Sequence, residues 1–154
     1  MEKNYPIDNL DRDILGILLK DAKVPYTEIA KRLLVSAGTI HVRMKRMERL
    51  GIVKGATLEI DPSRIGYDLT AFVGVYLIKG SVYNEVINEI NQVPEIIEAH
   101  YTTGEYSIFI KVICRNTDHL REVIGEKLQS LKGVMRTETI ISLGESIKKQ
   151  VPIG

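Results

Sequence analysis

A chain of 154 residues is one ordinary domain or two small ones, and with 44% hydrophobic and 27% charged residues its composition is globular, not disordered. The longest apolar run, residues 71–78, is far shorter than the ~20 residues of a membrane-spanning helix, and a single cysteine excludes a disulfide framework. The net charge of +1 hides an asymmetry: residues 1–56 carry 11 Lys/Arg against 7 Asp/Glu, residues 57–154 carry 10 against 13. Along the first part, Asp8 or Asn9 is placed to cap a helix with Leu10, Ile14, Ile17 and Leu18 on its apolar face. Pro25 disfavours helix at Val24, and Thr27 opens a short second helix burying Ile29, Ala30 and Leu33. After a turn at Leu34 and Val35, Ser36 caps a third helix whose buried stripe is Ile40, Met44, Met47 and Leu50. Gly51 follows it, where a left-handed residue ends a helix.

Two short helices joined by a tight turn form a helix-turn-helix, whose second helix is free to enter a major groove. Its exposed positions are Gly38, Thr39, His41, Val42, Arg43, Lys45, Arg46 and Arg49. Small and hydrogen-bonding residues, with Ser36 at the cap, occupy the end that meets base edges, and basic residues follow where the phosphate backbone passes. Residues 31–54 hold seven basic side chains and one acid, Glu48, the charge footprint of a nucleic-acid partner.

Residues 52–60 have strand character and link to a second domain, so that 1–60 is one domain and 61–154 the other. Strands are predicted at 71–78, 96–103, 106–113 and 134–143. Ser81 caps a helix with Val82, Val86, Ile87 and Ile90, and Thr117 caps another with Leu120, Val123, Ile124, Leu128 and Leu131. The order βαββαβ predicts an α+β, ferredoxin-like domain: one antiparallel sheet with both helices on one face. The other face carries Phe72, Tyr76 and Phe109, an apolar surface that implies a partner copy.

A basic helix-turn-helix, a strand-like linker and a βαββαβ domain within this length resemble the Lrp/AsnC family of amino-acid-responsive transcription regulators. The resemblance is carried by DNLDRDIL in the first helix, VSAGTIHVRMKRMERLGIVKGA through the third, and YTTGEYSIFIKV in the second domain. The last two segments are most similar to the family's asparagine-responsive branch. Ala37 stands where the family commonly has proline, and Ser107 where many members carry aspartate.

The resemblance implies a dimer built on the second domains, assembling into tetramers or octamers, with the effector at a junction beside the second strand turn. There, Thr103, Gly104 and Glu105 offer backbone N–H groups for an α-carboxylate, and Glu105 an acceptor for the ammonium. Tyr101, Thr102, Tyr106 and Ser107 surround the turn, and Thr137 and Thr139, sharing one face of the last strand, complete the pocket. Short hydroxyls suit an amide side chain, and leucine would leave them unpaired, so a small polar amino acid, asparagine above all, is the expected effector. Two-fold symmetry further implies a roughly palindromic double-stranded DNA operator, its half-sites ~34–36 Å apart or a multiple of that.

No glycine-rich phosphate loop, nucleophile elbow or H-E-x-x-H occurs, and His41, His100 and His119 fall on different elements without metal spacing. Each reads as a surface or base-reading histidine, and Cys114 as an inert core thiol. The expectation is a cytoplasmic regulator with no catalytic activity, metal or cofactor. The acidic, unpatterned N-terminus agrees, since it is no signal peptide. Two alternatives remain. Sirohaem decarboxylases resemble the same two-domain family, and here His100 and Arg136 would face the tetrapyrrole. The other is an architectural protein that coats DNA with little sequence preference.

Overall fold

The computed structural model describes residues 6–153, which divide into two compact units. One contains residues up to Glu59 together with the segment from Lys148, and the other is Ile60–Ile147.

The first unit is three helices: α1 (Asn9–Leu18), α2 (Tyr26–Leu33) and α3 (Ala37–Arg49). Helix α1 starts in a reciprocal capping box. Asp8 accepts the Asp11 N–H at 3.0 Å, and Asp11 accepts the Asp8 N–H at 3.1 Å. Ser36 caps α3 as expected, accepting the Thr39 N–H at 3.0 Å. Ile14, Ile29, Ala30, Ile40, Met44 and Met47 meet in one buried core, and Leu10, Ile17, Leu18 and Leu33 of the predicted stripes pack against it while only partly buried. Two expectations need correction. Helix α2 begins one residue before Thr27, with Pro25 in the cap position and no side-chain cap, because the proline φ already suits entry. Leu50 is exposed, since the chain leaves the helix there and Gly51 turns away at φ +70°.

The turn between α2 and α3 rests on Leu34, a left-handed residue (φ +56°) with 93% of its surface exposed. A Cβ in this region costs about 1–2 kcal/mol, and the exposed side chain gains nothing in return. Leu34→Gly is expected to stabilise the protein by about 0.5–1 kcal/mol net of glycine's extra unfolded-state entropy, measured as a higher urea midpoint at unchanged m.

In the second unit, strands β1 (Leu69–Leu77), β2 (Ile96–Tyr101), β3 (Ile108–Cys114) and β4 (Val134–Ile141) form one antiparallel sheet in the order β2-β3-β1-β4. Helices α4 (Tyr83–Ile90) and α5 (Thr117–Glu122, continued by a π-helical turn over Val123–Leu128) both pack on one face. There Val86, Ile90, Leu120, Val123 and Leu128 meet Ala71, Val73, Val75, Ile108, Ile110 and Val112. The α+β architecture expected from the element order is the one observed. Several details differ, among them the span between β2 and β3, where residues 102–107 are turn and not strand. Ser81 lies in a single 3₁₀ turn (Gly80–Val82) and caps nothing, and Asn116, one residue before Thr117, caps α5 by accepting the His119 N–H at 2.9 Å. Residues 52–60, expected as a strand, pair with no strand among the described residues.

Candidate functional sites

Along α3, Gly38, His41, Val42, Lys45 and Arg49 are exposed, and Val42 keeps 66% of its surface in solvent. Thr39 is half-buried, its hydroxyl 2.9 Å from that of Ser36, so both hydroxyls at this helix start are engaged with each other. The His41 ring lies 6.1 Å from that of Tyr26 on α2. Lys45 and Arg49 form no ion pair among the described residues, which leaves their charges to solvent. Arg43 and Arg46 differ. Both are half-buried and bonded to Asp11, at 3.3 and 3.1 Å, and Arg43 also bonds Asp8. The Arg43 guanidinium beside Asp8 holds that carboxyl below its ordinary range.

The β2–β3 turn is tied at its base. The Ser107 carbonyl accepts the Thr102 N–H at 3.2 Å, the Thr102 hydroxyl donates to the Tyr106 carbonyl at 2.8 Å, and the Ser107 N–H donates to Val75. Above that base the N–H groups of Thr103, Gly104 and Glu105 have no hydrogen-bond partner among the described residues. Gly104 adopts φ +102°, a backbone state that strains any L side chain, although a Cβ there would meet nothing within 4 Å.

The turn folds over the helix-free face of the sheet. Its Tyr106 ring lies on Gly74, where a Cβ would sit only 2.3 Å from the ring, and packs against Tyr76 and Phe109 at 5.1 and 5.9 Å. Tyr106, expected in a strand, therefore covers part of the face that the sequence left bare. Tyr76 is buried beneath it, while Phe72 and Phe109 stack at 5.9 Å. The Tyr76 hydroxyl has two carboxylates within reach, Glu138 at 3.2 Å and Glu105 at 3.5 Å, and Arg136 lies 3.5 Å over its ring. Burial pushes the Tyr76 phenol up, and its bond to Glu138 pushes it further, so the hydroxyl keeps the hydrogen it donates.

Glu138 and Tyr76 thus join the turn, and sequence reasoning had not assigned them to it. Thr137 and Thr139 are not brought to it within one chain. They alternate with Glu138 on β4, opposite Val75 and Val73, and so share the helix-covered face, where Thr137 accepts from Gln129 at 2.8 Å. Tyr101 also points that way, its ring 4.3 Å from Tyr83. The parity of β4 was readable, but not which face the turn would cover. Gly74 was the available signal, the one residue in β1 small enough to admit a ring.

Away from both regions, His119 is buried, contrary to its surface reading. Its Nδ1 accepts the Arg115 N–H at 3.2 Å, which leaves Nε2–H to donate to Glu95 at 3.1 Å. Lys127, aimed by the π-helical turn, donates to the same Glu95 oxygen at 2.7 Å. Burial pushes the Glu95 carboxyl up, but the bonds from Lys127, the backbone and His119 hold it below the usual range. His100 is exposed on β2, 3.7 Å from Glu98, and Arg136 is occupied by the Tyr76 ring.

The profile of the Lrp/AsnC ligand binding domain matches residues 70–152, and that of a winged helix-turn-helix DNA-binding domain matches residues 7–54. The chain belongs to the Lrp/AsnC family. It is 43% identical over 149 residues to the Escherichia coli K12 protein named Regulatory protein AsnC, covering 97% of this chain and 98% of that one. The HTH-type transcriptional regulator FL11 of Pyrococcus furiosus is 36% identical over 89% of each chain. The solved structure of E. coli AsnC superimposes with a TM-score of 0.90 at 42% identity, over 96% of this chain and 99% of that one. A Neisseria meningitidis transcriptional regulator in complex with L-Met shares the fold (TM-score 0.89) at 21% identity over 95% of this chain and 96% of that one. This Lrp/AsnC member is thus a transcriptional regulator with a DNA-binding and a ligand-binding domain, its helix-turn-helix formed by α2 and α3. Among the described residues no helix is long and apolar enough to cross a membrane.

Proposed function

We propose that the chain regulates genes of amino-acid metabolism from a specific, roughly palindromic operator, in response to a small polar amino acid, asparagine first. The observation that carries the effector site is the turn. Three successive N–H groups at Thr103, Gly104 and Glu105 have no hydrogen-bond partner among the described residues, and the Glu105 carboxylate of that turn reaches the Tyr76 hydroxyl that Glu138 also meets. The donors suit an α-carboxylate, and Glu105 with Glu138 suits an α-ammonium. The half-buried Ser107 hydroxyl supplies a partner for an amide side chain. Leucine would leave such groups unpaired at about 1–3 kcal/mol each, roughly 5- to 150-fold in affinity. The resemblance to the asparagine-responsive branch supports the same choice.

On α3 the reading assigns bases to Thr39, His41 and Val42, close backbone approach to Ser36 and Gly38, and phosphates to Lys45 and Arg49. Assembly as a dimer or a multiple of it uses the open sheet face around Phe72 and Phe109, which an isolated chain leaves partly in water.

Calorimetry with asparagine and with leucine tests the site, on the parent and on Gly104→Val. Asparagine is expected to bind at least tenfold more tightly, and Gly104→Val to abolish binding while leaving the DNA affinity of the first unit intact. Tighter binding of leucine, or a variant that binds like the parent, would show that the site or its chemistry lies elsewhere.

A further inference from the structure

We propose that Asp11 is a positioning residue for DNA recognition, holding Arg43 and Arg46 back from the phosphates so that they set the rotation of α3. This rests on the reading of α3 as the helix that meets DNA. On charge alone both arginines belong to the phosphate set. In the folded unit they are engaged from behind, by the helix start of α1.

The Asp11 side chain is fully buried. Its Oδ1 accepts from Arg43 at 3.3 Å, and its Oδ2 accepts from Arg46 at 3.1 Å and from the Asp8 N–H at 3.1 Å. Arg43 bonds Asp8 as well, and Arg46 donates to the Pro6 carbonyl at 2.8 Å. Two carboxylates and two guanidiniums make a cluster without net charge, so it adds nothing to attraction for a polyanion. A buried carboxylate without these donors would be strongly disfavoured, which is why the arginines stay with it.

The geometry also explains what the cluster does. Arg43 and Arg46 stand three residues apart on one side of α3, beside the apolar stripe of Ile40, Met44 and Met47. Apolar packing is non-directional and tolerates rolling of a helix on its bed, whereas hydrogen bonds fix direction. The two arginines therefore act as paired stays, and the roll they fix decides whether Thr39, His41 and Val42 face bases. The phosphate contacts of the helix fall to Lys45 and Arg49.

Counterion release distinguishes these roles, because each phosphate contact contributes about 0.9 to the slope of log affinity against log salt. The test measures that slope on a random-sequence duplex and on a duplex that the parent selects from a random pool. Lys45→Ala should make the slope shallower by about 0.9, whereas Arg46→Gln should leave it unchanged. Asp11→Asn should do the opposite of an ordinary loss of structure. It frees Arg46 from its carboxylate and leaves Arg43 to Asp8 alone, steepens the slope by about 0.9, strengthens binding to random duplex, and lowers the selected-to-random ratio at least tenfold. Asp8→Asn keeps the helix cap, since asparagine caps as well as aspartate, and leaves Arg43 on the 3.3 Å Asp11 bond alone, so it should steepen the slope measurably but by less than Asp11→Asn does. This second variant carries the test if Asp11→Asn does not fold. A slope that is unchanged or shallower in the aspartate variants, or an Arg46→Gln slope that falls as far as that of Lys45→Ala, overturns the inference. A parent that binds neither duplex overturns the DNA reading itself, and this inference with it.

Discussion

Lys127→Met is expected to destabilise the protein by about 2–4 kcal/mol, more than Glu95→Gln, although the two substitutions break the same bond. The asymmetry comes from what each leaves behind. Without Lys127, the Glu95 carboxylate stays buried with only His119 and backbone, and its Oε2 already has no hydrogen-bond partner among the described residues. Without the carboxylate, the Lys127 ammonium, on a side chain one-third exposed, turns to water. The pH dependence gives an independent check. In the parent the Glu95 carboxyl is held below its ordinary value of 4.5, so its stabilisation is present above that value and fades as pH falls through the folded pKa. In Lys127→Met burial acts with less opposition and raises the carboxyl, so protonation relieves the variant. The gap between the two proteins in urea midpoints should therefore narrow from pH 7 towards pH 4. A gap that stays constant over that range would mean the lost stability came from packing of the lysine stem.

Gly74→Val is expected to destabilise the second unit by about 1–3 kcal/mol and to remove the proposed amino-acid binding, without touching any group assigned to the ligand. The cause is steric. A Cβ at this position overlaps the base of the Tyr106 ring, at 2.3–2.7 Å from three of its carbons, so the ring must leave. With it goes the anchor that lays the 102–107 turn over the sheet and brings Glu105 to Tyr76. A double-mutant cycle isolates the effect. On a Tyr106→Ala background the valine has nothing to displace, and its cost in urea unfolding should fall below about 0.5 kcal/mol. Equal costs on both backgrounds would place the damage in the strand and not in the contact.

The elements were legible because burial is periodic. Ile40, Met44 and Met47 recur at helical spacing and are buried, and β1 is apolar on both faces because helices cover one and Tyr106 covers part of the other. Helix starts were legible to within one or two residues: Thr117 is as plausible a cap as Asn116 beside it, while α2 follows Pro25 with no side-chain cap at all. Partners far apart in sequence were not legible. Nothing local to Arg43 and Arg46 announces a carboxylate 32 and 35 residues earlier, and nothing near Glu95 announces His119 and Lys127. The candidate effector site was legible as a turn but not as a face. Thr137 and Thr139 carry attractive hydroxyls, yet sheet register delivers Glu138 to the Tyr76 hydroxyl instead.

Cys114 ends β3 with its side chain wholly out of solvent, and burial pushes its thiol up to about 11. Thiolate is the reactive form, so at neutral pH the chain's lone sulfhydryl is doubly shielded, by access and by ionisation. That makes it a built-in clock. An alkylating reagent consumes it only as fast as the sheet opens, and the labelling rate reads how often the effector-binding unit breathes. A ligand that clamps the 102–107 turn onto the same sheet would slow that clock, which offers a way to rank effectors without DNA, dye or engineered probe.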